Sequence, residues 1–570
     1  MNSFFATNIV ALQSFSKKAV IAIVSALIVA IVLFVTGIII LNSKYMVSIP
    51  LYEGTLTEGV LGSPFAVNPV LAASQTDKDM VALIFSGLMR VAPDGSLLYD
   101  LAKEHSVSTD SLTYTFILKD NVQFHDGVRV TAEDIVFTIE KIQDENIRSP
   151  YRINWERIEV KAVNENTIQF NLKRPYSEFL RNTTIGILPK HLFENNPPET
   201  FAVLEYNLKP IGSGPYMFQS IQTKKGVPSA YTLVRNPHFA LGVPYIETFH
   251  IQIFDTEESL VSAVSSEKID SASAITPKKA VQFTEHPHRK ILTAPLPRLY
   301  GIFLNQNKVP ALTDVRVRSA LNISIDRALM TYETLYSFGV PNTNAISANH
   351  PLAKTTLGTS TKNAQELLTE SGWIRGADGI ARKDGKELTV RIATVGIPEL
   401  QTIAEFAKAS WQNIGVQVFI DSYSLGDLQD IVVRDRSFDI LLYGIIVDED
   451  ADLYAYWHST QRQSPGLNVS QYANKQVDTL LESIQKESTP NTIYDILAYI
   501  EKDIPALFLF SPSFIYVTPK NLEGINLSSL QKSEDRFRDI YLWYTNTEHV
   551  WPFLRSLPYV QKVESFIHSI

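Results

Sequence analysis

A long uncharged stretch near the N-terminus constrains this chain more than any other feature of its sequence. Residues Ala19 to Leu41 contain no charged residue and no proline. As a helix rising about 1.5 Å per residue they would be roughly 34 Å long, enough for a bilayer core of about 30 Å. Lys17 and Lys18 precede the stretch, so the positive-inside rule predicts a cytoplasmic N-terminus and an extracytoplasmic remainder after Lys44.

A cleaved signal peptide is the alternative interpretation of this stretch. The apolar region of a signal peptide is usually about 7–15 residues long and ends at a site of small residues. This stretch is longer, and residues 42–46 (Asn-Ser-Lys-Tyr-Met) offer no good site of that kind. We therefore predict a single-pass protein of the cell membrane, with a cytoplasmic N-terminus at 1–18 and a retained transmembrane helix at 19–41.

The composition narrows the chemistry available to the rest of the chain. The 570 residues include no cysteine, which excludes disulfides, thiolate metal sites, cysteine nucleophiles and a lipid-modified N-terminal cysteine. A net charge of -9 without a basic stripe argues against binding of nucleic acid. Hydrophobic residues at 45% and charged residues at 19% are typical of a globular protein.

One region of the outer domain predicts a βαβ unit. Residues 388, 390 and 392 are apolar and alternate with polar residues, as do residues 416, 418 and 420. Between them, apolar residues recur at helical spacing from Leu400 to Ile414, and Gly415 ends the helix. Residues 438–443 form a third, nearly continuous apolar strand, as expected in a buried parallel sheet. The predicted fold class is therefore α/β, with a sheet that is at least partly parallel.

Helix caps and turns have clear signals elsewhere. Thr131 begins a start resembling a capping box, and isoleucines then fall on one face of the helix. Thr361 is predicted to cap a second helix, whose apolar positions begin at Ala364 and which stops at Gly372. Tight turns are predicted at Asp378-Gly379 and Asp384-Gly385.

An acidic run follows the third strand of the predicted sheet. Ligands of open parallel sheets bind beyond the carboxyl ends of strands, and here the strand leads into Gly444 and then Asp448, Asp450 and Asp452. Carboxylates at this place suit a ligand that carries an ammonium group, and a solvated acidic loop is the alternative. A calcium loop is disfavoured because Leu453 stands where the sharp turn requires glycine.

The sequence signals for catalysis are weaker than the signal for a ligand site at the acidic run. The sequence lacks Walker, Gly-x-Ser-x-Gly and His-Glu-x-x-His motifs. Residues 212–215 (Gly-Ser-Gly-Pro) are typical of a tight turn, and His125 stands in a predicted turn before the Thr131 helix. We predict no catalytic residue, no metal site and no cofactor. Aromatic residues beside the acidic run either line a pocket or, as we favour, pack in the core; they are Tyr454, Tyr456 and Trp457.

A series of motifs, in order along the chain, resembles the peptide/nickel-type (family 5) extracellular solute-binding proteins, the receptors of ABC importers for peptides and similar solutes. The resemblance extends from about Gly54 to about Tyr544. Glu267 and Lys268 depart from the family's Ser-Gly-Glu-Ile-Asp segment. The matching motifs are residues 118–127 (LKDNVQFHDG), 131–137 (TAEDIVF), 212–216 (GSGPY), 233–237 (LVRNP), 266–270 (SEKID), 314–321 (DVRVRSAL) and 364–373.

The resemblance implies a large two-lobed fold like that of the type II periplasmic binding proteins, with mixed sheets and a central ligand cleft. Lobe I would be residues 52–308, including an extra domain at about 95–205, and lobe II would be residues 309–502. Residues 503–548 would return to lobe I, and residues 549–570 would be a C-terminal extension. Within that extension, residues 560–570 fit a short amphipathic helix that docks on its own lobe, as we favour, or touches the permease or the membrane surface.

The resemblance also implies candidate ligand contacts. In peptide-binding members of the family, an aspartate after a glycine-containing strand end receives the α-ammonium group of the peptide. Matching that glycine to Gly444 assigns this role to Asp448. Oligopeptide receptors carry tryptophan where this chain has Ile445. The remaining candidates are Tyr443, Ile445 and Asp450 near that position, and Tyr300 and Ser273 for hydrogen bonds to a peptide backbone.

The sequence therefore predicts a membrane-anchored, monomeric and non-enzymatic receptor that delivers peptides, or similar amine-bearing solutes, to ABC permease subunits. The same fold used as a ligand sensor or a chaperone-like module is the alternative, and an anchored hydrolase is less favoured.

Overall fold

The computed structural model describes residues 16–93, 95–176, 179–348, 350, 352–353, 363–447, 453–484, 489–528 and 530–551. The strands are β1 (Val47–Pro50), β2 (Thr55–Leu61), β3 (Met89–Val91), β4 (Leu97–Tyr99), β5 (Ala102–Val107), β6 (Thr113–Leu118), β7 (Ile158–Asn164), β8 (Thr167–Leu172), β9 (Tyr216–Lys224), β10 (Val227–Arg235), β11 (Thr248–Phe254), β12 (Ser271–Ala272), β13 (Arg289–Pro295), β14 (Arg298–Leu304), β15 (Gly339–Pro341), β16 (Ile374–Arg375), β17 (Ala381–Lys383), β18 (Lys386–Glu387), β19 (Thr389–Val395), β20 (Gln417–Tyr423), β21 (Ile440–Ile446), β22 (Ala506–Pro519) and β23 (Thr547–Val550).

The α-helices are α1 (Lys17–Tyr45), α2 (Gln75–Ile84), α3 (Ala132–Gln143), α4 (Arg152–Trp155), α5 (Phe179–Asn182), α6 (Lys190–Phe193), α7 (Glu257–Ser265), α8 (Pro277–Ala280), α9 (Val315–Ile323), α10 (Arg327–Leu335), α11 (Ala364–Glu370), α12 (Pro398–Gln412), α13 (Leu425–Asp427), α14 (Leu453–Trp457), α15 (Lys475–Ile484) and α16 (Pro490–Asp503). Tighter turns lie at Pro198–Val203, Glu205–Asn207, Val281–Phe283, Pro310–Thr313, Ser459–Gln461, Ser533–Phe537 and Ile540–Leu542, and a wider π turn lies at Leu428–Val433.

Helix α1 is the apolar stretch with which the described chain begins. Ser16 caps it, because the Ser16 hydroxyl accepts a hydrogen bond from the backbone N–H of Ala19. From Lys18 to Asn42 the helix is long and apolar enough to cross a membrane, and its apolar window is not buried against the rest of the protein. Met46 alone separates α1 from β1.

A mixed sheet of twelve strands organises the rest of the molecule. Its main path runs in the order β20-β19-β21-β14-β22-β12-β2-β11-β10-β9, and β13 and β15 also pair with β22. The predicted βαβ unit is confirmed: β19 and β20 are parallel neighbours joined by α12, and β19 also pairs parallel to β21. β21 in turn runs antiparallel to β14.

Two large hydrophobic clusters meet along β22 and β14. The first is built from residues before Pro297 and after Ser513, and the second from residues 299 to 510. Phe510 belongs to the second cluster and Phe514 to the first, so β22 passes from one body to the other between them. A third, smaller cluster packs α7 and residues 275–283 against the far end of β22.

A separate four-stranded antiparallel sheet, in the order β5-β6-β8-β7, lies where the extra domain is predicted. β6 and β8 alternate half-exposed and buried residues, so each presents one face to a core. Helix α3 packs beside this sheet and begins at the predicted cap, because Thr131 and Asp134 form a reciprocal capping box. The boundaries of the extra domain and of both lobes remain predictions.

Two local predictions are corrected by the structure. Helix α11 is capped by Asn363, whose side chain forms a capping box with Glu366, whereas the predicted cap Thr361 lies outside the described residues. The strand predicted at 438–443 instead spans Ile440–Ile446, because β14 continues to pair with it through Ile446. Gly444 therefore lies within a strand rather than after its end.

Candidate functional site

A cavity of about 320 Å³ opens where the two large clusters meet. Its walls come from β14, α10, α12, the middle of β22, and the chain that leads from β12 into α8. Apolar and aromatic side chains dominate the lining, with a few polar groups among them, as is typical of small-ligand sites. The polar side chains at the wall are those of Gln75, Ser273, Arg298, Tyr300, Thr334, Glu399, Ser513 and Ser533.

Tyr300 and Gly444 form the most specific contact in this wall. They lie opposite each other in the antiparallel pairing of β14 and β21. A Cβ atom added to Gly444 would stand 3.1 Å from Cε1 of the Tyr300 ring, so the ring occupies the space that a side chain at 444 would need. The same ring contacts Phe510, with 5.3 Å between the ring centroids. The absence of a side chain at 444 thus lets the Tyr300 ring lie against β21.

The Tyr300 phenol faces two charged residues of the cavity. Burial raises its pKa, the nearby carboxylate of Glu399 raises the pKa further, and the guanidinium of Arg298 acts in the opposite direction. The phenol therefore stays protonated at neutral pH and can donate a hydrogen bond to a ligand.

Arg298 and Glu399 bring opposite charges to the same cavity. Arg298 is an exposed residue at the start of β14, and Glu399 is half-buried in the first turn of α12. A carboxylate is stabilised at that end of a helix by the helix dipole. Within the described ranges, neither side chain has an ion-pair partner, so both are available to a charged ligand.

Thr334 contributes a buried hydroxyl. The residue lines the cavity from α10 and is only 6% exposed, yet its Oγ1 has no hydrogen-bond partner in the part of the chain that the structure describes. Buried polar atoms are nearly always paired in folded proteins. A ligand or water in the cavity is therefore the natural partner of Thr334.

The structure brings some of the predicted site residues together and separates others. Tyr300 and Ser273 line the same cavity, and Gly444 lies under the Tyr300 ring. Tyr443 and Ile445 flank Gly444 in β21, so their side chains point to the opposite face of the sheet.

On that opposite face, Ile445 is 6% exposed within the second cluster, and the Tyr443 hydroxyl accepts a hydrogen bond of 3.2 Å from Gln429 Nε2. Asp448 and Asp450 lie outside the described residues. The residue before Asp448 is described: the N–H of Val447 donates 2.8 Å to the carbonyl oxygen of Pro297. Asp448 is therefore the residue after one whose backbone is hydrogen-bonded to Pro297, and Pro297 is the neighbour of Arg298 in the chain.

The aromatic residues after the acidic run are absent from the cavity wall within the described chain. Trp457 is buried between Phe303 and Phe508, with ring centroids 6.5 and 5.8 Å away, which confirms core packing for this residue. Tyr456 donates a hydrogen bond of 2.8 Å to the carbonyl oxygen of Ile446.

Reasoning from the sequence missed Arg298, Thr334 and Glu399. The sequence did carry a signal for Glu399, because this residue follows the carboxyl end of β19 and lies in the first turn of the next helix. The same kind of position, after the carboxyl end of a strand, made Asp448 a candidate. Arg298 and Thr334 had no such signal, because only the folding of β14 and α10 brings them to the cavity.

His125 has a structural role. Its Nδ1 accepts a hydrogen bond of 3.2 Å from the N–H of Gly212, and its Nε2 lies 3.1 Å from the carbonyl oxygen of Gly214. Burial lowers its pKa to about 4, so the ring is neutral and donates through Nε2. His125 thereby holds the 212–215 turn. Across the described ranges, no group of three or more His, Asp or Glu residues is placed to hold a metal ion.

Several known proteins are similar to this chain. The family model described as bacterial extracellular solute-binding proteins, family 5 Middle, matches residues 97–465. The oligopeptide-binding protein AppA of Bacillus subtilis is 27% identical over 503 residues, which cover 85% of this chain and 91% of AppA.

Solved structures show the same similarity. NikZ from Campylobacter jejuni, in complex with Ni(L-His), is 27% identical with a TM-score of 0.66, over 87% of this chain and 100% of NikZ. The ABC transporter substrate-binding protein CtaP from Listeria monocytogenes is 25% identical with a TM-score of 0.72, over 87% of this chain and 100% of CtaP. The α/β binding-protein fold expected from the sequence is confirmed by these similarities.

Proposed function

Because this chain belongs to family 5 of the bacterial extracellular solute-binding proteins, whose model matches residues 97–465, we propose that it captures peptides outside the cell and delivers them to the permease of an ABC importer. The family and its relatives are binding proteins of transporters. We expect this chain likewise to bind its solute without converting it.

The cavity between the two clusters is the observation that carries this proposal. It offers a phenol, two hydroxyls and both signs of charge around an apolar floor, from Tyr300, Ser273, Thr334, Arg298 and Glu399. A peptide has matching groups: amide N–H and C=O groups along its backbone, an ammonium group and a carboxylate. The oligopeptide-binding relative from Bacillus subtilis supports the same class of solute.

Asp448 is our candidate for the ammonium contact. It follows Val447, whose N–H is bonded to Pro297 at the base of β14. A buried charge pair with the α-ammonium group would be specific, since leaving either charge unpaired in a closed cleft is costly.

Closure of the cleft would take place at two crossings. The chain passes from the first cluster to the second between Leu296 and Leu299, and returns between Phe510 and Phe514. Two adjacent strands of one sheet make a suitable hinge, because a few residues there can absorb a rotation of one body against the other. The proposed hinge is slightly before the predicted lobe boundary at residues 308–309.

Calorimetry on the purified protein tests the site. We expect Asp448→Asn to weaken binding of free-amine peptides at least tenfold, while N-acetylated peptides bind the variant and the parent protein alike. Mass spectrometry of solute released from the purified protein should identify a peptide. Equal loss for both peptide classes would contradict the ammonium role, and release of a non-peptide solute would contradict the proposed solute class.

We also propose that α1 is retained as a membrane anchor, with the N-terminus in the cytoplasm. The apolar window of α1 is exposed and long enough to span a bilayer, and Lys17 and Lys18 lie at its N-terminal end. The intact mass of the protein extracted from membranes tests this proposal, because cleavage of a signal peptide would remove α1.

A further inference from the structure

A second cavity, of about 250 Å³, adjoins the first cavity along helix α2. Gln75 of α2 lines the first cavity, and Lys78, about one turn further along the same face of the helix, lines the second. On the segment that α2 contacts, Ser533 lines the first cavity, and its neighbours Lys532 and Glu534 line the second. The two cavities therefore meet between the same two elements.

A side-chain hydrogen bond marks the boundary between the cavities. The Gln75 amide donates 3.0 Å from Nε2 to Oε2 of Glu534, and the same nitrogen donates 2.8 Å to Oδ1 of Asp79. Both hydrogens of this nitrogen are thereby used, which leaves the amide oxygen of Gln75 to accept a hydrogen bond from a peptide N–H. The Cβ atoms of residues three apart on a helix are about 5–6 Å apart, and an extended peptide advances about 3.3–3.6 Å per residue. One or two residues of a peptide would therefore span the boundary.

Several charged side chains of the second cavity already have a partner. Nη1 of Arg90 lies 2.7 Å from Oδ1 of Asp539, and Nη2 of Arg538 lies 3.3 Å from Oδ2 of Asp535. These ion pairs fix the wall of the cavity, and they leave little charge on it for a ligand to neutralise.

Two ammonium groups of the wall, those of Lys78 and Lys532, have no ion-pair partner across the described ranges. Lys532 is exposed and Lys78 is half-buried, so both can be reached from solvent. The Asp100 carboxyl lines the same cavity but is only 6% exposed, accepts a hydrogen bond from Ser86 and lies near the charge of Arg90. A ligand that enters the second cavity therefore meets uncompensated positive charge, and a carboxylate is its complement.

We propose that the second cavity binds a carboxylate of the peptide whose other part occupies the first cavity. The solute would then be an oligopeptide that crosses the boundary at Gln75 and carries a carboxylate beyond it. This inference rests on the proposed function, because it takes the solute to be a peptide. The carboxylate can belong to an acidic side chain or to the C-terminus of the peptide.

Isothermal calorimetry of alanine pentapeptides on the purified full-length protein tests the proposal. One set of peptides has a free C-terminus and the other an amidated C-terminus, and within each set glutamate or glutamine replaces one alanine in turn. We expect Lys78→Gln combined with Lys532→Gln to weaken at least one peptide that bears a carboxylate at least tenfold. Amidated peptides with glutamine should weaken less than twofold, which also shows that the variant is folded. Lys103→Gln, at an exposed position of β5 outside both cavity walls, is the control.

The two peptide sets identify the source of the carboxylate. A loss confined to free C-termini indicates the C-terminal carboxylate, and a loss for glutamate but not glutamine at one position of the amidated set indicates a side chain. Unchanged affinity of the double variant for every peptide, or an equal loss with and without a carboxylate, would overturn the inference and leave the proposed function intact. Failure of every peptide to bind the parent protein would overturn both.

Discussion

The ring of Tyr300 lies over the backbone of Gly444, directly opposite it on the neighbouring antiparallel strand. Gly444→Val should push this ring into the cavity and weaken peptide binding at least tenfold, or about 1.4 kcal/mol. The matched control is Gly426→Ala, since a Cβ atom there meets nothing within 4 Å. Isothermal calorimetry on both variants checks this, and unchanged affinity in Gly444→Val would contradict a role of the Tyr300 ring.

Local pattern was sufficient to predict the βαβ unit. The alternation at residues 388–392 and 416–420 and the helical spacing between them correspond to β19, β20 and α12. Each of these signals arises from neighbours within one element, although β19 is buried on both faces from Ile392 to Val395. The cap of α11 was placed at the wrong residue, because threonine and asparagine are both good caps and only the fold selects Asn363.

The composition of the cavity needed the three-dimensional structure. Tyr300 faces Gly444 because two strands from distant parts of the chain pair with each other. The spacing of apolar residues along the sequence does not indicate which residues of two such strands stand opposite each other. The strand was predicted from the sequence to end at Tyr443. That prediction therefore did not show that Tyr443 and Ile445 share the face opposite to Gly444. The pairing of β1 with β23, which joins residues 47–50 to residues 547–550, is a relationship of the same kind.

Glu399 should select peptides that carry a second positive charge. Its carboxylate lines the cavity without an ion-pair partner among the described residues. We expect Glu399→Gln to weaken a lysine-containing peptide about tenfold and an all-alanine peptide less than twofold. Glu405→Gln is the control on the same helix, because Glu405 pairs with Lys408 at 3.3 Å outside the cavity wall. Parallel titrations of the two peptides would show an equal loss if Glu399 acted only on the fold.

Arg536 joins two acidic residues in the interior of the first cluster. Its Nη2 lies 2.7 Å from Asp79 and 3.0 Å from Glu58, and all three side chains are almost fully buried. Arg536→Met should lower the free energy of unfolding by about 3–5 kcal/mol, because two buried carboxylates lose their partner.

The exposed pair of Arg391 and Asp421 serves as the control for this prediction. Arg391→Met should change the free energy of unfolding by at most about 1 kcal/mol, because surface ion pairs contribute little. Denaturant unfolding followed by tryptophan fluorescence measures both variants. Similar losses in the two would show that burial of the Arg536 cluster has no special importance for stability.

Asp100 should make the stability of the protein depend on pH. Burial raises its pKa from 3.8 to about 6, and a hydrogen bond from Ser86 with the charges of Lys119 and Arg90 offsets this only in part. A raised pKa means that the folded state holds the proton more tightly. The stabilisation is therefore complete below pH 3.8 and is lost as pH rises through 6, a change of up to about 3 kcal/mol.

Asp100→Asn removes this titration. The free energy of unfolding of the variant should rise relative to the parent protein between pH 4 and pH 8, by up to about 3 kcal/mol. Urea unfolding at a series of pH values measures the difference, and subtraction of the parent curve cancels the titration of all other groups. A flat difference for Asp100→Asn would mean that Asp100 titrates alike in the folded and unfolded chain.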